Sequence, residues 1–476
     1  MTPDNGKNIT VSEEELDKQR EYASLVRMVI QTRFADRQPL VFVHTFGCQG
    51  NVADSERLKG MFEDMGFGFT DEAEKADVSL FNTCAIREHA EDRLFGNVGA
   101  LKKIKEKNPD FKIILCGCMM QQKHVAERIK ESYPFVDIVF GTHVAHKLPE
   151  LLYRSLSTGR RVFDIEDSDG VIAEHLPLHR DSSFEAWLPI MYGCNNFCSY
   201  CIVPYVRGRE RSRSSEIIIA EARELVENGY KEITLLGQNV NSYGNDREGE
   251  MNFASLLRSI DAIDGDFIIR FMTSHPKDCT HELLDTMAEC GKVAKHLHLP
   301  VQCGNDRVLK EMNRRYTSEQ YLSLLSYAKS VMPDLSVTSD IIVGFPGETH
   351  EEFRDTLRLI EKAEYTSLYT FIFSPRKGTK AAEMEDNISR EEKGKWFSEL
   401  CDLQESIAAK RTANMVGREY RVLCEGKAKK GGIISGRTQG NIIIEFPADS
   451  SVIGTFQTVR VTEALTWMLK GELLNG

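Results

Sequence analysis

Three cysteines stand within eight residues of one another, at Cys194, Cys198 and Cys201, in a C-x3-C-x2-C spacing. An iron–sulfur cube takes four cysteine ligands when the protein supplies all of them. A site that is one ligand short leaves an iron open, as catalytic zinc sites keep an open position. The structural alternatives are a zinc site or buried core cysteines, but packing rarely places three cysteines so close in sequence. The spacing therefore predicts a cluster that binds a substrate or cofactor.

A second set of three cysteines is spread along the N-terminal part of the chain. Cys48, Cys84 and Cys118 each follow a short apolar stretch that predicts a β-strand, at residues 41–43, 78–81 and 112–115. Helical segments between the strands predict an open parallel α/β sheet, and such sheets bind ligands at the carboxyl ends of their strands. The three loops are therefore expected to form a second three-thiolate site. Cys116 could replace Cys118, but we favour Cys118 because the preceding glycine frees its loop.

The elements that must position these cysteines divide the chain of 476 residues into about three domains. In the central region, six apolar strand stretches alternate with helices and predict a partial (β/α) barrel whose active-site loops follow the strands. Short alternating strands with glycine turns then predict a small antiparallel β-barrel. The expected boundaries are an N-terminal extension at 1–38, the α/β domain at 39–155, a linker at 156–184, the partial barrel at 185–412 and the C-terminal barrel at 413–476.

The composition excludes several classes of protein. No apolar run approaches the ~18 residues that a membrane-spanning helix needs, and the polar N-terminus lacks the apolar core of a secretory signal. We therefore expect a cytoplasmic protein that does not contact membranes and whose twelve cysteines stay reduced. Four cysteines without ligand-like neighbours are interpreted as ordinary thiols: Cys279, Cys290, Cys401 and Cys424.

The formal net charge of −12 argues against nucleic acid as a partner of the whole surface. Two local basic stretches point the other way, because a local basic patch can bind phosphates on an acidic protein. One follows the cysteine motif, at Arg207, Arg209, Arg211 and Arg213, and the other lies in the C-terminal barrel, at Lys427, Lys429, Lys430 and Arg437. The alternative for both stretches is a solvated charged face.

Taken in order, four motifs resemble the radical S-adenosylmethionine (SAM) methylthiotransferase family. They are Thr45-Phe46-Gly47-Cys48-Gln49, Asn82-Thr83-Cys84-Ala85-Ile86-Arg87, Cys116-Gly117-Cys118 and the run from Tyr192 to Arg213. The branch that modifies tRNA is favoured by Asn195-Asn196-Phe197, by the run from Gly237 to Gly244 and by Met312-Asn313-Arg314-Arg315-Tyr316. The resemblance covers about residues 40–475 and implies an N-terminal methylthiotransferase domain, a radical-SAM barrel and a TRAM RNA-binding barrel.

The resemblance also implies the cofactors and the reaction. Cys194, Cys198 and Cys201 would hold a 4Fe–4S cluster that binds SAM and generates a 5′-deoxyadenosyl radical, while Cys48, Cys84 and Cys118 would hold a second 4Fe–4S cluster that carries the sulfur. The expected activity is methylthiolation of carbon 2 of isopentenyl-adenosine beside the anticodon, with two SAM consumed per turnover. The expected partners are the tRNA anticodon stem-loop and a low-potential electron donor of flavodoxin or ferredoxin type, and the chain is expected to act as a monomer.

Further residues are assigned as candidate contacts. The candidate SAM contacts are Tyr200, Gln238, Asn239, Ser274, Gln302, Gly344 and Arg207, and the candidate RNA contacts are Arg209, Arg211, Arg213, Lys427, Lys429, Lys430 and Arg437. Packing could equally explain Tyr200, and ordinary turn chemistry could explain the strand-end loops. The chain departs from the family pattern after Gln302, where Cys303-Gly304-Asn305 stands instead of Ser-Gly-Ser, which leaves the contacts of this loop open.

Other functions remain to be distinguished at this point. Related enzymes act on threonylcarbamoyl-adenosine at the same tRNA position or on an aspartate of a ribosomal protein. A protein of another class would be an iron–sulfur RNA-binding protein without catalysis. Cleavage of SAM by the reduced protein would separate the enzymes from that last alternative.

Overall fold

The computed structural model describes residues 10–85, 90–166, 170–429 and 431–474. The chain forms two compact units. The first unit contains Met1–Asp181, Met191–Asn195 and Cys201–Arg211, and the second contains Ser182–Ile190, Asn196–Tyr200 and Ser212–Gly476.

The N-terminal part of the chain alternates helices and strands. Its helices are α1 (Glu13–Arg33), α2 (Gln49–Asp64), α3 (Ala90–Lys107), α4 (Lys123–Ser132) and α5 (Leu148–Thr158). Its strands are β1 (Leu40–Thr45), β2 (Gly68–Phe69), β3 (Val78–Thr83), β4 (Lys112–Gly117), β5 (Ile138–Phe140) and β6 (Val162–Asp164).

These strands form one parallel sheet in the order β2-β1-β3-β4-β5-β6. Every residue of β3 and β4 is buried, as expected for strands with both faces covered by helices. The open parallel sheet predicted from the sequence is therefore confirmed. Strand β6 lies inside the segment predicted as a linker, because its apolar pattern is only two residues long, Val162 and Phe163, before Asp164.

Helix α1 belongs to the core of the first unit, although the sequence pattern alone did not place it. Ser12 caps its start by accepting a hydrogen bond from the Glu15 amide at 3.3 Å. Its buried side chains Ala23, Val26 and Ile30 pack in the same apolar cluster as Leu148 and Leu151, the latter two on α5. The predicted N-terminal extension is thus partly a helix of this unit.

The middle of the chain continues the alternation. Its strands are β7 (Glu185–Pro189), β8 (Met191–Tyr192), β9 (Arg211–Ser212), β10 (Glu232–Leu236), β11 (Ile268–Phe271), β12 (His296–His298), β13 (Ser336–Val343) and β14 (Ser367–Ile372). Its helices are α6 (Val203–Val206), α7 (Ser215–Glu227), α8 (Phe253–Asp261), α9 (His281–Glu289), α10 (Asp306–Glu311), α11 (Ser318–Val331), α12 (His350–Ala363) and α13 (Arg390–Ala413). Short 3-10 helices occur at Ala73–Lys75, Thr142–Lys147, Val240–Ser242, Pro276–Asp278, Lys380–Glu383 and Ser450–Val452.

Six parallel strands of the second unit correspond to the six predicted from the sequence. They pair as two sheets, β7-β10-β11 and β12-β13-β14, and Ile269 of β11 also forms an isolated parallel bridge with Val293. Helices connect successive strands, as parallel pairing requires. The partial (β/α) barrel is therefore confirmed.

The C-terminal strands β15 (Glu419–Lys427), β16 (Ile433–Thr438), β17 (Ile443–Pro447), β18 (Phe456–Ala464) and β19 (Met468–Leu473) close into a barrel in the order β15-β16-β17-β19-β18. Its core contains Val422, Ile444, Phe446 and Leu469. The small barrel is confirmed, with one refinement. Strands β17 and β19 pair in parallel, because the chain crosses from one to the other through β18.

Within the described residues, no helix combines the length and the apolarity needed to cross a membrane.

Candidate iron–sulfur and cofactor sites

Cys48, Cys84 and Cys118 lie at the carboxyl edge of the sheet in the first unit. Cys48 is the residue before α2, Cys84 follows β3 and Cys118 follows β4. Because β1, β3 and β4 are adjacent in the sheet, the three loops come together at one edge. Asn51 marks the meeting point: its Oδ1 lies 3.6 Å from the Cys48 sulfur and 3.8 Å from the Cys118 sulfur.

Two glycines allow these loops to approach one another. Gly47 has a φ of +127°, and a Cβ there would stand 2.7 Å from the Cys84 Cβ and 3.0 Å from its sulfur. Gly117 has a φ of +95°, and a Cβ there would stand 2.3 Å from Oδ1 of Asn82. Any other residue would be strained and would push the cysteine loops apart.

Cys84 and Cys118 are buried, Cys48 is partly buried, and the three thiols influence one another electrostatically. Burial raises the pKa of Cys118 to about 12, Arg207 opposes this shift, and Cys48 and Cys84 add to it. Metal ligation deprotonates thiols, and sulfur donors suit iron–sulfur clusters better than hard cations. Within the described residues, no three His, Cys, Asp or Glu side chains are spaced to hold a single metal ion. Three sulfur donors at one sheet edge fit an iron–sulfur cluster by their chemistry.

Cys116 is a core thiol. Its side chain packs with Val41, Leu80 and Ile114, and burial raises its pKa well above the ordinary value. Cys118 instead packs beside Ala85, Ile202 and Val206. This difference in surroundings supports the choice of Cys118 over Cys116.

Cys194, Cys198 and Cys201 differ in their burial and in the unit to which they belong. Cys198 is buried and accepts a hydrogen bond from Nη1 of Arg314 at 3.4 Å, both residues lying in the second unit. Cys194 and Cys201 are partly buried in the first unit, where the Cys194 amide donates to the Gly208 carbonyl at 3.1 Å.

Arg314 is a site residue that the sequence interpretation missed. Its guanidinium also donates to the Pro300 carbonyl at 2.6 Å and to the Tyr316 hydroxyl at 2.7 Å. The neighbouring Asn313 amide group donates to the carbonyls of Asn196 and Phe197 at 3.0 and 2.9 Å. The Met312-to-Tyr316 motif was recognised only as a family signature, although the Asn-Arg-Arg run soon after the candidate loop at Gln302 was the available signal.

Polar atoms that lack partners gather at the carboxyl ends of β10 and β11. Within the described part of the chain, four side chains have buried polar atoms without a hydrogen-bond partner. These atoms are Asn239 Oδ1, Ser274 Oγ, His275 Nε2 and both polar side-chain atoms of Asn241. Buried polar atoms are normally hydrogen-bonded, so this group fits the polar parts of a bound cofactor. His275 stays neutral, because burial and then Arg314 and Lys277 lower its pKa to about 2.

Backbone strain marks the same edge. Thr273 and Gln302, which follow β11 and β12, have φ values of +70° and +75°. Non-glycine residues in this region cost about 1–3 kcal/mol and cluster at ligand sites. Gln302 is buried, with its amide donating to the Asp340 carbonyl at 2.9 Å. Gln238 is partly buried in the loop after β10.

Two other candidates, Tyr200 and Gly344, and the divergent Cys303 have protein contacts of their own. Tyr200 packs against an apolar cluster that includes Met312 and Phe345, as the packing alternative expected. The Gly344 backbone amide donates a hydrogen bond to the Glu348 carboxylate at 2.7 Å. This amide is therefore already used within its own loop. Cys303 is fully buried and its sulfur lies 3.4 Å from the Thr356 hydroxyl, which makes it part of the packing beneath the loop.

Strands β12, β13 and β14 share one face that helix α13 does not cover. His298 is opposite Thr338, and Asp340 is opposite Tyr369, so these four residues lie on that face, which we call the inner face. The rings of Tyr369 and Phe371 are about half exposed there, at 48% and 52%. His298 Nε2 lies 3.5 Å from an Asp340 oxygen, and Tyr369 meets the His298 ring edge to face at 5.6 Å. On the opposite face, Thr370 contacts Cys401 of α13.

The arginine run corrects the sequence interpretation. Arg211 and Arg213, expected to contact RNA, are buried: Arg211 donates to the Arg207 and Arg209 carbonyls, and Arg213 donates to the Pro189 carbonyl and to Glu221. Arg207, expected to contact SAM, is buried against Cys118 and Asp54 of the first unit. Arginines at alternate positions look like a charged face, but folding turns most of this run inward. Arg209 alone among the four is exposed.

The basic residues of the C-terminal barrel are more exposed than the arginine run, as a phosphate-binding surface requires. Lys427 and Lys429 are exposed, and Lys430 lies outside the described residues. Arg437 is partly exposed and forms an ion pair of 2.9 Å with Glu425. Its charge is therefore partly neutralised.

Three family models match the chain. Residues 188–360 match the Radical SAM superfamily, residues 40–141 match Uncharacterized protein family UPF0004, and residues 413–474 match the TRAM domain. Among solved structures, the radical S-adenosylmethionine methyltransferase TsrM from Kitasatospora setae with cobalamin and [4Fe-4S] cluster bound is similar, with a TM-score of 0.53 and 14% identity over 73% of this chain and 74% of that one. At this identity the likeness establishes the fold alone.

Curated relatives match over nearly the full length. The tRNA-2-methylthio-N(6)-dimethylallyladenosine synthase of Thermoanaerobacter sp. (strain X514) is 49% identical over 469 residues, which is 98% of each chain. The synthase of the same name from Clostridioides difficile (strain 630) is 45% identical over 473 residues, 98% of this chain and 99% of the relative. With this identity and coverage, the chain belongs to the tRNA-2-methylthio-N(6)-dimethylallyladenosine synthase family and contains a radical SAM domain.

Proposed function

We propose that this protein is a tRNA methylthiotransferase that adds a methylthio group to carbon 2 of isopentenyl-adenosine beside the anticodon. The observation that carries the proposal is the 45–49% identity to synthases of that name over 98% of the chain. No comparable observation favours threonylcarbamoyl-adenosine, a ribosomal protein or a purely structural iron–sulfur role.

The two cysteine sets support two clusters with different roles, one for SAM and one for sulfur. A radical SAM domain brings SAM and a 4Fe–4S cluster, for which Cys194, Cys198 and Cys201 are the proposed ligands. A second 4Fe–4S cluster is proposed at Cys48, Cys84 and Cys118, which meet at one sheet edge. When bound, the first cluster would supply the electron that cleaves SAM to a radical and the second would supply sulfur, chemistry that amino acid side chains alone lack.

The chain's own residues would bind and orient SAM. Asn239, Asn241 and Ser274 offer polar atoms without partners in the described residues, suited to the amino, carboxylate and ribose groups of SAM. Arg314 would hold Cys198 in place through its hydrogen bond to the sulfur. Gln238 and Gln302 remain proposed contacts at the neighbouring strand ends.

The inner face suits the substrate base. A base that undergoes chemistry must leave its stack and enter a pocket, and exposed aromatic rings bind bases by stacking. Tyr369 and Phe371 present such rings, whose apolar surface could also contact an isopentenyl tail. Asp340 and His298 supply polar groups beside them, able to hydrogen-bond the edge of the adenine.

The exposed side chains Arg209, Lys427 and Lys429 are the proposed phosphate contacts of the tRNA. The TRAM match at residues 413–474 supports an RNA role for the C-terminal barrel. We further propose a flavodoxin- or ferredoxin-type electron donor and a monomeric enzyme, in keeping with the low potential that a radical SAM cluster requires.

The function is tested in a strain that lacks the gene. Mass spectrometry of its tRNA nucleosides should show loss of 2-methylthio-isopentenyl-adenosine and accumulation of isopentenyl-adenosine. The wild-type gene should restore the modification, whereas Cys194→Ala and Cys48→Ala should not. A Cys401→Ala variant is the matched control, since this cysteine packs on α13 beside Thr370. Persistence of 2-methylthio-isopentenyl-adenosine in the deletion strain would reject the assignment. Loss of 2-methylthio-threonylcarbamoyl-adenosine in its place would also reject it.

A further inference from the structure

Arg207 is a buried cation with a defined set of partners. It stands six residues after Cys201, at the end of α6 in the first unit, and is only 7% exposed. Its Nε donates to the Cys118 sulfur at 3.1 Å, and its Nη2 donates to an Asp54 oxygen at 2.7 Å and to Asn51 Oδ1 at 3.0 Å. A buried charge is costly unless it is paired and hydrogen-bonded, so these contacts account for its position.

Asn51 ties this guanidinium to the cysteine loops. Its side-chain amide donates to the Phe46 carbonyl at 3.0 Å and to the Thr83 carbonyl at 2.9 Å, the residues just before Gly47 and Cys84. Its Oδ1 faces the sulfurs of Cys48 and Cys118 and accepts from Arg207. One asparagine therefore connects all three loops and fixes the direction in which Arg207 points.

The charges around Cys118 act in opposite directions. A cluster held by thiolates gains negative charge when it is reduced, and hydrogen bonds to its sulfurs help to set its reduction potential. The positive charge of Arg207, donated directly to a ligand sulfur, favours the reduced state. The negative charge of Asp54 partly offsets that effect, because it binds the same guanidinium on the other side.

We propose that Arg207 and Asp54 set the reduction potential of a cluster bound at Cys48, Cys84 and Cys118, with Asn51 holding the guanidinium in register. This inference rests on the second cluster of the proposed function. Arg207 and Asp54 are positioning residues, since they act through Cys118. The arginine run after the cysteine motif thereby gains a role at the other cysteine set.

The test observes the second cluster by itself. Full-length protein carrying Cys194→Ala, Cys198→Ala and Cys201→Ala is reconstituted anaerobically with iron and sulfide. Its iron content is measured, and it is titrated with dithionite in the presence of redox mediators while the reduced cluster is followed by electron paramagnetic resonance. Arg207→Gln and Asp54→Asn are then compared in this background.

The two variants should shift the potential in opposite directions. Arg207→Gln should lower it and Asp54→Asn should raise it, each by about tenfold in the ratio of reduced to oxidised cluster at a fixed potential, which is about 59 mV for one electron. Arg207→Lys keeps the charge and should shift the potential less than Arg207→Gln. A role limited to holding the fold would not produce shifts of opposite sign.

Arg37→Gln is the matched control. Arg37 forms a two-pronged ion pair with Asp77, at 2.7 Å for one of its contacts, before β1 and β3 and so at the amino end of the sheet. Its removal deletes an arginine from an ion pair in the same unit, and the potential should not change.

The outcomes separate the inference from the proposed function. Background protein that binds no iron would reject the second cluster and the inference with it. A cluster whose potential moves in one direction in both variants, or in neither, would overturn the inference alone. If Arg207→Gln fails to retain iron, Asp54→Asn decides: an upward shift supports the inference, and an unchanged or lower potential overturns it.

Discussion

Asp340 on the inner face carries a carboxyl group whose environment disfavours its charge. Burial raises its pKa to about 7, against the opposing influence of Arg314 and a hydrogen bond from Gln302. Its neighbour His298 stays neutral, because burial lowers that pKa to about 4. Near neutral pH, the charge of this pair therefore changes at the carboxyl group and not at the imidazole.

Replacing Asp340 with Asn should change the dependence of stability on pH. The ordinary pKa is 3.8 and the folded value about 7, so between these values the folded protein binds more protons than the unfolded chain. Wild-type stability should fall as pH rises through this window. Asp340→Asn should match wild type at pH 4 and exceed it at pH 8, by at most about 4 kcal/mol at 1.36 kcal/mol per pKa unit.

Urea unfolding of the cluster-free protein at several pH values measures this effect. Asp285→Asn serves as a control for loss of a carboxylate, because Asp285 accepts a hydrogen bond from Tyr327 at 2.7 Å on helices away from the inner face. A less stable Asp340→Asn variant at pH 8 would contradict the stated environment of the carboxyl group.

At the scale of elements, the cysteine loops depend on how closely the ends of adjacent strands approach. The loop after β1 reaches the loop after β3 because Gly47 has no side chain and adopts a positive φ. The Phe46 amide donates to the Asn82 carbonyl at 2.8 Å across the same gap. The geometry of the thiols is thus set by backbone packing as much as by the cysteines.

Gly47→Ala should therefore disturb the cysteine set of the first unit. The added methyl group would meet the Cys84 side chain at 2.7 Å, which requires the loops to separate. We expect reconstituted enzyme to lose about half of its iron while keeping the radical SAM cluster, provided that each cluster contains the same number of irons. Iron analysis and electron paramagnetic resonance would detect this.

Gly159→Ala is the comparison for this change. Gly159 also has a positive φ, of +65°, but among the described residues no atom beyond its own local backbone and chain neighbours lies within 4 Å of the position of its missing Cβ. It should lose about 1 kcal/mol of stability and no iron. Equal iron content in the two variants would show that the close approach at Gly47 is not required.

At the scale of the whole second unit, buried charges join the C-terminal barrel to the partial barrel. Arg270 on β11 forms an ion pair with Glu232 on β10 at 2.6 Å. The same guanidinium donates to the carbonyls of Thr438 and Gln439 at 2.9 and 3.1 Å, in the turn between β16 and β17. Glu185 lies opposite Glu232, and burial together with Glu232 raises its pKa to about 7. One arginine therefore balances the acidic strands and anchors the C-terminal turn.

Arg270→Met should destabilise the second unit strongly. Removing one member of a buried ion pair leaves an uncompensated charge and typically costs about 3–5 kcal/mol. Arg418→Met removes an exposed ion pair between Arg418 and Asp334 and should cost less than about 1 kcal/mol. Urea unfolding compares the two, and a similar loss in both variants would contradict the anchoring role of Arg270.

The sequence by itself determined the classes of the three domains and the two sets of cysteines. Strand periodicity, the positions of glycines and the ligand spacing are local properties, so they are readable without the fold. Strand β6 escaped recognition because its apolar pattern is only two residues long, Val162 and Phe163. The parallel pairing of β17 with β19 escaped for another reason, since it depends on how the barrel closes.

Only the tertiary structure decided what the individual polar side chains do. Arg207, Arg211 and Arg213 look alike in sequence, yet burial gives them different partners in two units. Cys116 and Cys118 are two residues apart, but Cys116 lies within β4 and packs in the core, whereas Cys118 lies just beyond the strand and contacts Arg207. Residue types and their spacing specify which chemistry is available, whereas desolvation and long-range contacts specify which side chain performs it.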